Sequence, residues 1–177
     1  MDDLDNISSL KSTIESFTSL WRRWELLWHN NHWVPIITDY AHHPTELASV
    51  LDAIREKYAD QHIHLIFQPH QARRVVEFRD EFVETLQWVE NPIIYHIYTA
   101  RETMQDLATY TISSKHLKSQ VSSLESFDDL GQLFIDKCNG TYVTDFADIQ
   151  KNLTETQEGV IVICTAGDLD WEVRKFI

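Results

Sequence analysis

Apolar residues recur along this chain in two patterns, one typical of amphipathic helices and one typical of buried strands. Residues 4–20 have the helical pattern, in which an apolar side chain returns every third or fourth residue. Two apolar stretches follow, WRRWELLW and HWVPIITDYA, and they are joined at HNN. They predict a β-hairpin in which Pro35 marks an edge position or a bulge.

After the hairpin, strand and helix patterns alternate. Pro44 is well placed to open the first helix, and Ser126 is well placed to cap a later one. The predicted strands are VPIITD, HIHLIFQ, PIIYHIYT, TYV and GVIVICT. The predicted helices are 44–58, one that carries Val75, Phe78, Phe82 and Leu86, one over SFDDLGQLFIDK, one over about 146–153 and one starting at Asp168.

This alternation predicts an α/β fold. The strands are almost continuously apolar, so both faces of the sheet are expected to be covered by helices. We therefore predict a mostly parallel, Rossmann-like sheet with helices on both faces, preceded by an N-terminal helix and the β-hairpin. Residues 1–177 are expected to form one domain, with the helix and hairpin in 1–35 and the α/β core in 36–177.

Composition and charge narrow the possible functions. A chain of 177 residues that is 43% hydrophobic and 24% charged can bury one normal core. A formal net charge of −13 argues against nucleic acid or an anionic membrane as a partner. No apolar run is long enough to span a bilayer, and the acidic start lacks the features of a signal peptide. Cys138 and Cys164 form no metal or redox motif, which is consistent with the reducing cytoplasm.

Polar side chains gather where the predicted strands end. In open parallel sheets, ligands bind at the carboxyl ends of the strands, where loops and helix N-termini converge. We therefore expect one ligand-facing rim formed by Asp39, Tyr40, His42, His43, Gln68, His70, Arg73, Arg74, Tyr98, Thr99, Arg101, Thr165 and Asp168.

Several polar residues also have a purely structural interpretation. Asp39 is placed to cap the helix that follows it, and His42 and His43 are compatible with ordinary surface or partly buried positions. His62 and His64 are two residues apart on a strand, so they share one face and are expected to face solvent or to pack.

The arginines carry a different signal. Arg73 and Arg74 lie at the start of a helix, where positive charge is unfavourable, and this favours an anionic ligand nearby. Arg22 and Arg23 would alternate between the two faces of a strand, so only one of them is expected to face a site.

Four stretches together resemble a known family. FTSLWRRWE, DYAHHPTE, FQPH and the AGD near the end occur in the order and spacing of the C-terminal domain of Mur ligases. The corresponding family patterns are F-x-G-x-x-R-R-x-E, D-Y-G/A-H-H-P-T-E, F-Q-P-H-R-x-x-R and G-A-G-D/N-I. The third pattern narrows the resemblance to the alanine-adding branch, and the resemblance runs from about residue 7 to the end.

The resemblance implies an ATP-dependent ligase that adds L-alanine to UDP-N-acetylmuramate in peptidoglycan synthesis. ATP would phosphorylate the muramate carboxylate and the amine of alanine would attack the acyl phosphate, while Mg²⁺ and arginines offset the phosphate charge. The nucleotide-binding residues implied are Arg22, Arg23, Asp39, Tyr40 and His42, and the residues implied for the amino acid are His70 and Arg74, the latter pairing with its carboxylate.

This sequence departs from the family in several places. It contains no G-x-x-x-x-G-K-[ST] loop and no UDP-binding domain, so the resemblance implies a central ATPase domain and an N-terminal UDP-binding domain as partners. We expect the chain to be an excised fragment of a longer ligase that is inactive by itself. Gln71 replaces an arginine, IYTARE replaces Y-P-A-G-E, and Ser19 and Thr165 replace glycines; Thr165 is expected to restrict the backbone.

Two other functions stay open on the residues alone. Gln71 and Thr165 favour a diverged, stand-alone binding or regulatory domain without ligase activity. Alternatively, the chain would be a metal-dependent phosphoesterase, because carboxylates and imidazoles at strand ends are suitable ligands. Its metal site would be drawn from Asp39, His42, His43, His70 and Asp168.

Overall fold

The computed structural model describes residues 22–107, 109 and 121–177. Within these residues the strands are β1 Glu25–His29, β2 Pro35–Asp39, β3 Ile63–Gln68, β4 Ile93–Tyr95, β5 Thr141–Val143 and β6 Val160–Thr165. The helices are α1 Pro44–Lys57, α2 Ala72–Glu77, α3 Arg79–Leu86, α4 Met104–Leu107, α5 Phe127–Ile135, α6 Phe146–Glu155 and α7 Leu169–Phe176. The helix predicted over 4–20 lies outside the described residues.

The strands form one sheet in the order β1-β2-β6-β3-β4-β5, in which β1 is antiparallel to β2 and the other neighbours are parallel. Successive residues of a strand point to opposite faces, so Ile36 and Ile37 enter two different cores. Helices α1, α2, α3 and α5 cover one face, and α6 and α7 cover the other. The predicted α/β fold with a mostly parallel sheet is confirmed. None of the helices described is long and apolar enough to cross a membrane.

The predicted hairpin forms, but the position expected for Pro35 is wrong. Pro35 is the first residue of β2, which lies between β1 and β6 and is therefore an interior strand. A strand's first residue tolerates the missing N–H of proline. The register irregularity lies in β1, between Leu26 and Trp28. Asn30 closes the turn, because its Oδ1 accepts hydrogen bonds from the N–H groups of His32 and Val34 at 2.9 and 3.1 Å.

Most helix predictions are confirmed, with differences at element ends. Helix α1 begins at Pro44, and α5 begins after a capping box formed by Ser126 and Asp129. The single helix expected to carry Val75, Phe78, Phe82 and Leu86 is interrupted at Phe78, whose φ and ψ of −112° and 28° are not helical. The strand predicted over PIIYHIYT is shorter than expected: β4 begins at Ile93 and ends at Tyr95.

Candidate functional site

Four rings from three loops lie in a row at the carboxyl edge of the sheet. The Tyr40 and His42 rings have their centroids 5.3 Å apart, and those of His42 and His70 are 5.7 Å apart, both edge to face. His70 stacks on Tyr98, with centroids 5.5 Å apart and planes at 18°. A parallel bridge between His70 and Tyr98 fixes this stack from the backbone. The structure thus brings together side chains that follow β2, β3 and β4, as expected for the rim.

Arg74 contacts His70, the third ring of this row. Its Nη1 is 3.3 Å from Nδ1 of His70 and donates to the His70 carbonyl at 3.0 Å. Burial lowers the pKa of His70, and the positive charge of Arg74 lowers it further. The neutral imidazole can therefore accept at Nδ1 from Arg74, and its Nε2–H remains as a donor.

At the Tyr40 end the ring is flanked by two guanidinium groups. The Cζ atoms of Arg22 and Arg23 lie 4.7 and 5.4 Å from the Tyr40 ring centroid. The expectation that only one arginine faces the site is therefore wrong. Its physical reason is that β1 begins at Glu25, and the positive φ of 58° at Arg22 and 47° at Trp24 removes the simple alternation of a strand.

The two arginines differ in how they are held. The Arg22 Nε lies 3.2 Å from Oδ2 of Asp170, and its Nη2 donates to the carbonyls of Thr165 and Gly167 at 3.1 and 3.3 Å. Its side chain is only 14% exposed, whereas that of Arg23 is 47% exposed. Arg22 therefore fastens the start of β1 to the loop after β6, and Arg23 presents more of its charge to solvent.

The carboxylate of Asp39 accepts hydrogen bonds from backbone N–H groups near β1 and after β2, and it does not cap α1. Its Oδ2 accepts from the N–H of Trp24 and its Oδ1 from the N–H of Ala41, both at 2.8 Å. The cap of α1 is His43, whose Nδ1 accepts from the N–H of Thr45 at 3.4 Å. The capping interpretation of Asp39 is therefore wrong, because its carboxylate is used by the hairpin and by the turn after β2.

Glu46 completes the turn between β2 and α1. Its Oε2 accepts from the N–H groups of His42 and His43 at 3.0 and 3.2 Å. Burial on its own would raise the pKa of Glu46, but these hydrogen bonds and the electrostatic effect of the neighbouring His42 lower the pKa below its ordinary value. The ring of His42 is itself held through its Nδ1, which lies 2.9 Å from the Tyr40 carbonyl oxygen and 3.2 Å from Oε2 of Glu46.

Gln68 connects the ends of β3 and β6. Its buried side-chain Oε1 accepts from the Thr165 hydroxyl at 2.7 Å and from the N–H of Leu169 at 3.1 Å, while its Nε2 donates to Oδ1 of Asp168 at 2.7 Å. The Thr165 hydroxyl also accepts from the N–H of Gly167 at 3.0 Å. The threonine therefore supplies hydrogen bonds that a glycine cannot.

Close packing in the loop after β6 occurs at Gly167 and not at Thr165, where the backbone was expected to be restricted. Thr165 lies within β6 and has the extended backbone of a strand. A Cβ on Gly167 would lie 2.4 Å from Oε1 of Gln68 and 2.7 Å from Cβ of Tyr98. Gly167 therefore allows the loop after β6 to pack on the His70–Tyr98 stack. The AGD motif was the only signal in the sequence for this contact.

The start of α2 is neutralised from within the chain. Glu102 accepts from the N–H groups of Ala72 and Arg73 at 2.5 and 3.1 Å, whereas the N-cap residue Gln71 makes no side-chain cap. The Arg73 side chain pairs with Glu77 at 3.5 Å. Glu102, a residue that the sequence did not point to, therefore supplies negative charge to the backbone at the start of α2, and the anionic ligand predicted from Arg73 and Arg74 stays a prediction.

The cluster expected for a phosphoesterase does not form. Among the residues that the structure describes, no three His, Cys, Asp or Glu side chains are placed to hold a metal ion. His43 packs on Phe78, with ring centroids 4.6 Å apart, and Asp39 is bonded to backbone N–H groups. His62 and His64 do share a face, with centroids 4.4 Å apart, but Nε2 of His64 lies 2.9 Å from the Glu158 carbonyl.

Comparison with known protein families decides where this chain belongs. The family described as "Mur ligase, glutamate ligase domain" matches residues 22–168, which contain every side chain of the ring row. The chain belongs to the Mur ligase family. Among curated relatives, the UDP-N-acetylmuramate–L-alanine ligase of Porphyromonas gingivalis is 31% identical over 93% of this chain. The ligase of the same name from Christiangramia forsetii is 34% identical over 96%.

This Mur ligase domain spans about a third of the curated relatives, 32% and 33% of their respective lengths. Two solved structures share its fold. The UDP-N-acetylmuramate-alanine ligase of Thermotoga maritima superposes with a TM-score of 0.57 at 20% identity, covering 96% of this chain and 34% of that one. A murein peptide ligase from Psychrobacter arcticus gives a TM-score of 0.59 at 20% identity, covering 93% and 31%.

Proposed function

We propose that this Mur ligase domain is the C-terminal part of an ATP-dependent ligase that adds L-alanine to UDP-N-acetylmuramate in peptidoglycan synthesis. The observation that carries the proposal is the continuous row from Tyr40 through His42 and His70 to Tyr98, with Arg22 and Arg23 over Tyr40 and Arg74 against His70. The row joins the residues proposed for the nucleotide to those proposed for the amino acid. The names of the Porphyromonas and Christiangramia relatives support the choice of substrates.

The Tyr40 end is the proposed nucleotide side. Two guanidinium groups over one aromatic ring provide local positive charge in a chain of net charge −13, which suits a polyphosphate. Arg23 would contact the anion, and His42 would offer its ring beside Tyr40. Arg22 and Asp39 would act by holding the surrounding backbone. ATP, when bound with Mg²⁺, supplies the phosphoryl group that activates the muramate carboxylate.

Magnesium would depend on ligands outside the described part of this chain. Among the residues that the structure describes, no three His, Cys, Asp or Glu side chains converge to hold a metal ion. The metal would be held by the phosphates together with the central ATPase domain of the ligase, which is the usual way in which Mg²⁺ is bound at phosphoryl-transfer sites. The N-terminal UDP-binding domain would hold the other substrate.

The Arg74 end is the proposed amino-acid side. A guanidinium next to a neutral imidazole offers donors to a carboxylate, from Arg74 and from Nε2–H of His70. Gln71 stands where the family has an arginine, so this side has one positive charge fewer than the family pattern. We infer that the carboxylate is bound chiefly by Arg74.

A chimeric ligase tests this function. The corresponding C-terminal third of the Porphyromonas gingivalis ligase would be replaced by this chain, and phosphate release from ATP and UDP-N-acetylmuramate would be measured with and without L-alanine. We expect stimulation by L-alanine. The variant R74Q should raise the KM for L-alanine about tenfold or more, as expected for a charge-assisted hydrogen bond, and should change the KM for ATP much less.

Two results would reject the proposal. A folded chimera that no amino acid stimulates would favour the alternative of a binding or regulatory domain without ligase activity. Stimulation by other amino acids and not by L-alanine would retain a ligase and reject the substrate. Circular dichroism of the chimera is the control for folding.

A further inference from the structure

Three carboxylates near the ring row are occupied by the backbone of this chain. Asp39 accepts from the N–H groups of Trp24 and Ala41. Glu46 accepts from the N–H groups of His42 and His43, and Glu102 accepts from those at the start of α2. Each therefore shapes a loop by accepting hydrogen bonds from backbone N–H groups.

Asp168 is arranged differently. It is exposed and occupies the N-cap position of α7, where an aspartate normally accepts from the first N–H groups of its helix. It makes no such bond: its backbone has the helical φ and ψ of −81° and −19°, and Nε2 of buried Gln68 donates to its Oδ1 at 2.7 Å. Within the described part of the chain, no hydrogen bond or ion pair reaches its Oδ2. The local preference is overridden, and such conflicts are typical of functional positions.

Asp168 also lies close to the proposed amino-acid side. It directly follows Gly167, which packs on Gln68 and Tyr98 closely enough to exclude a Cβ. Tyr98 stacks on His70, whose Nδ1 faces Arg74. The His70–Tyr98 stack is thus bordered by a guanidinium on one element and by a carboxylate on another.

We propose that Asp168, oriented by Gln68, binds the ammonium group of the incoming amino acid. This inference rests on the proposed function for the identity of the ligand. An amino acid near neutral pH carries a carboxylate and an ammonium, and opposite charges on either side of one stack match both. The role assigned to Asp168 is binding and orientation of the protonated amine, and that of Gln68 is positioning.

Three small ligands separate the two charges. L-alanine has both groups, L-alaninamide keeps the ammonium and lacks the carboxylate, and propionate keeps the carboxylate and lacks the ammonium. Their binding to the 177-residue chain would be measured by NMR near neutral pH, for the wild type, D168N and R74Q. Asparagine keeps an Oδ1 acceptor for Gln68, so D168N removes charge with little change in shape. Urea unfolding of both variants checks their folds.

We expect D168N to weaken the binding of L-alanine and L-alaninamide about fivefold, because a partly exposed ion pair contributes about this much. The binding of propionate should be unchanged. R74Q should weaken the binding of L-alanine and propionate and leave the binding of L-alaninamide unchanged. If D168N binds all three ligands like the wild type while R74Q shows its expected pattern, the ammonium role is overturned and the proposed function stands.

Two other outcomes would also decide the question. If the wild-type chain binds none of the three ligands, the amino-acid site is wrong and the proposed function falls with it. If Mn²⁺ broadens the amide signals around Asp168 and D168N abolishes that broadening without changing amine binding, the carboxylate is a metal ligand and the ammonium role is rejected.

Discussion

Arg22 Nε lies 3.2 Å from Oδ2 of Asp170, and the two side chains are only 14% and 4% exposed. The same carboxylate accepts from the Thr38 hydroxyl at 3.1 Å and from Nε of Arg174 at 2.9 Å. Arg174 in turn binds Glu25 through both terminal nitrogens. The approach to β1, the strand β2 and the helix α7 therefore meet at one buried acid.

The first prediction concerns this acid. D170N should lower the free energy of unfolding by about 3 kcal/mol, because it leaves two arginines without their shared buried counter-charge. Urea unfolding measures the change. D52N is the matched control: Asp52 pairs with Arg55 at 3.8 Å on the surface, and its removal should change stability by less than about 0.5 kcal/mol. Equal effects of the two variants would contradict the buried network.

The second prediction separates the two arginines over Tyr40. R22Q should lower the free energy of unfolding by about 2 kcal/mol, because the Asp170 carboxylate then lacks one partner. R23Q should leave stability nearly unchanged and weaken ATP binding about fivefold at low salt, since its side chain is half exposed. Titrating each variant with ATP by NMR measures this. If R23Q binds ATP with the affinity of the wild type, Arg23 does not contribute to nucleotide binding.

The third prediction is the titration of His70. Burial and Arg74 lower its pKa from the ordinary 6.5, so the ring should be neutral at pH 7. In R74Q the pKa of His70, followed by NMR, should rise towards 6.5. His64, whose pKa is lowered mainly by burial, should not move and is the internal control. A His70 pKa that R74Q leaves unchanged would contradict the pairing with Arg74.

The same shift has a consequence for stability. The unfolded chain binds a proton at His70 more readily than the folded chain, so stability should fall as the pH drops through 6.5 towards the lower pKa of the folded state, and it should be level above 6.5. H70Q should show a smaller fall over this interval in urea unfolding at several pH values. An identical pH profile would show that His70 does not contribute.

The fourth prediction concerns Gly167. In G167A the new methyl group would lie 2.4 Å from Oε1 of Gln68 and 2.7 Å from Cβ of Tyr98, so the loop must shift. We expect a loss of about 1–3 kcal/mol in the free energy of unfolding, as for other overpacked sites. The NMR signals of Tyr98 and His70 should move in the same variant. Unchanged stability and unchanged signals would contradict the close packing of this loop.

The fold was largely predictable because its signals are local. The uninterrupted apolar strands, Pro44 at the start of α1 and Ser126 before α5 identify their elements by short-range chemistry. The break at Phe78 was missed, since apolar residues continue at helical spacing through it. What ends the helix there is a change in backbone direction, which the pattern of side chains does not record.

The site was predictable as a location and only partly as a set of contacts. Strand ends identified the rim, because parallel strands bring their carboxyl ends to one edge. The partners of Asp39 and the place of Glu102 were not predictable, because each bonds to backbone N–H groups whose position depends on the whole fold. No residue pattern marks a backbone donor that is brought close by folding.

Gln71 has a consequence for how this domain can evolve. Its φ of 71° is already accepted by a side-chain-bearing residue, and its N–H is bound by the Tyr98 carbonyl at 2.8 Å. Because its side chain makes no capping hydrogen bond to α2, replacing it with arginine removes none. Glutamine and arginine codons differ by one base, so natural mutation or selection in the laboratory can restore the missing positive charge in a single step.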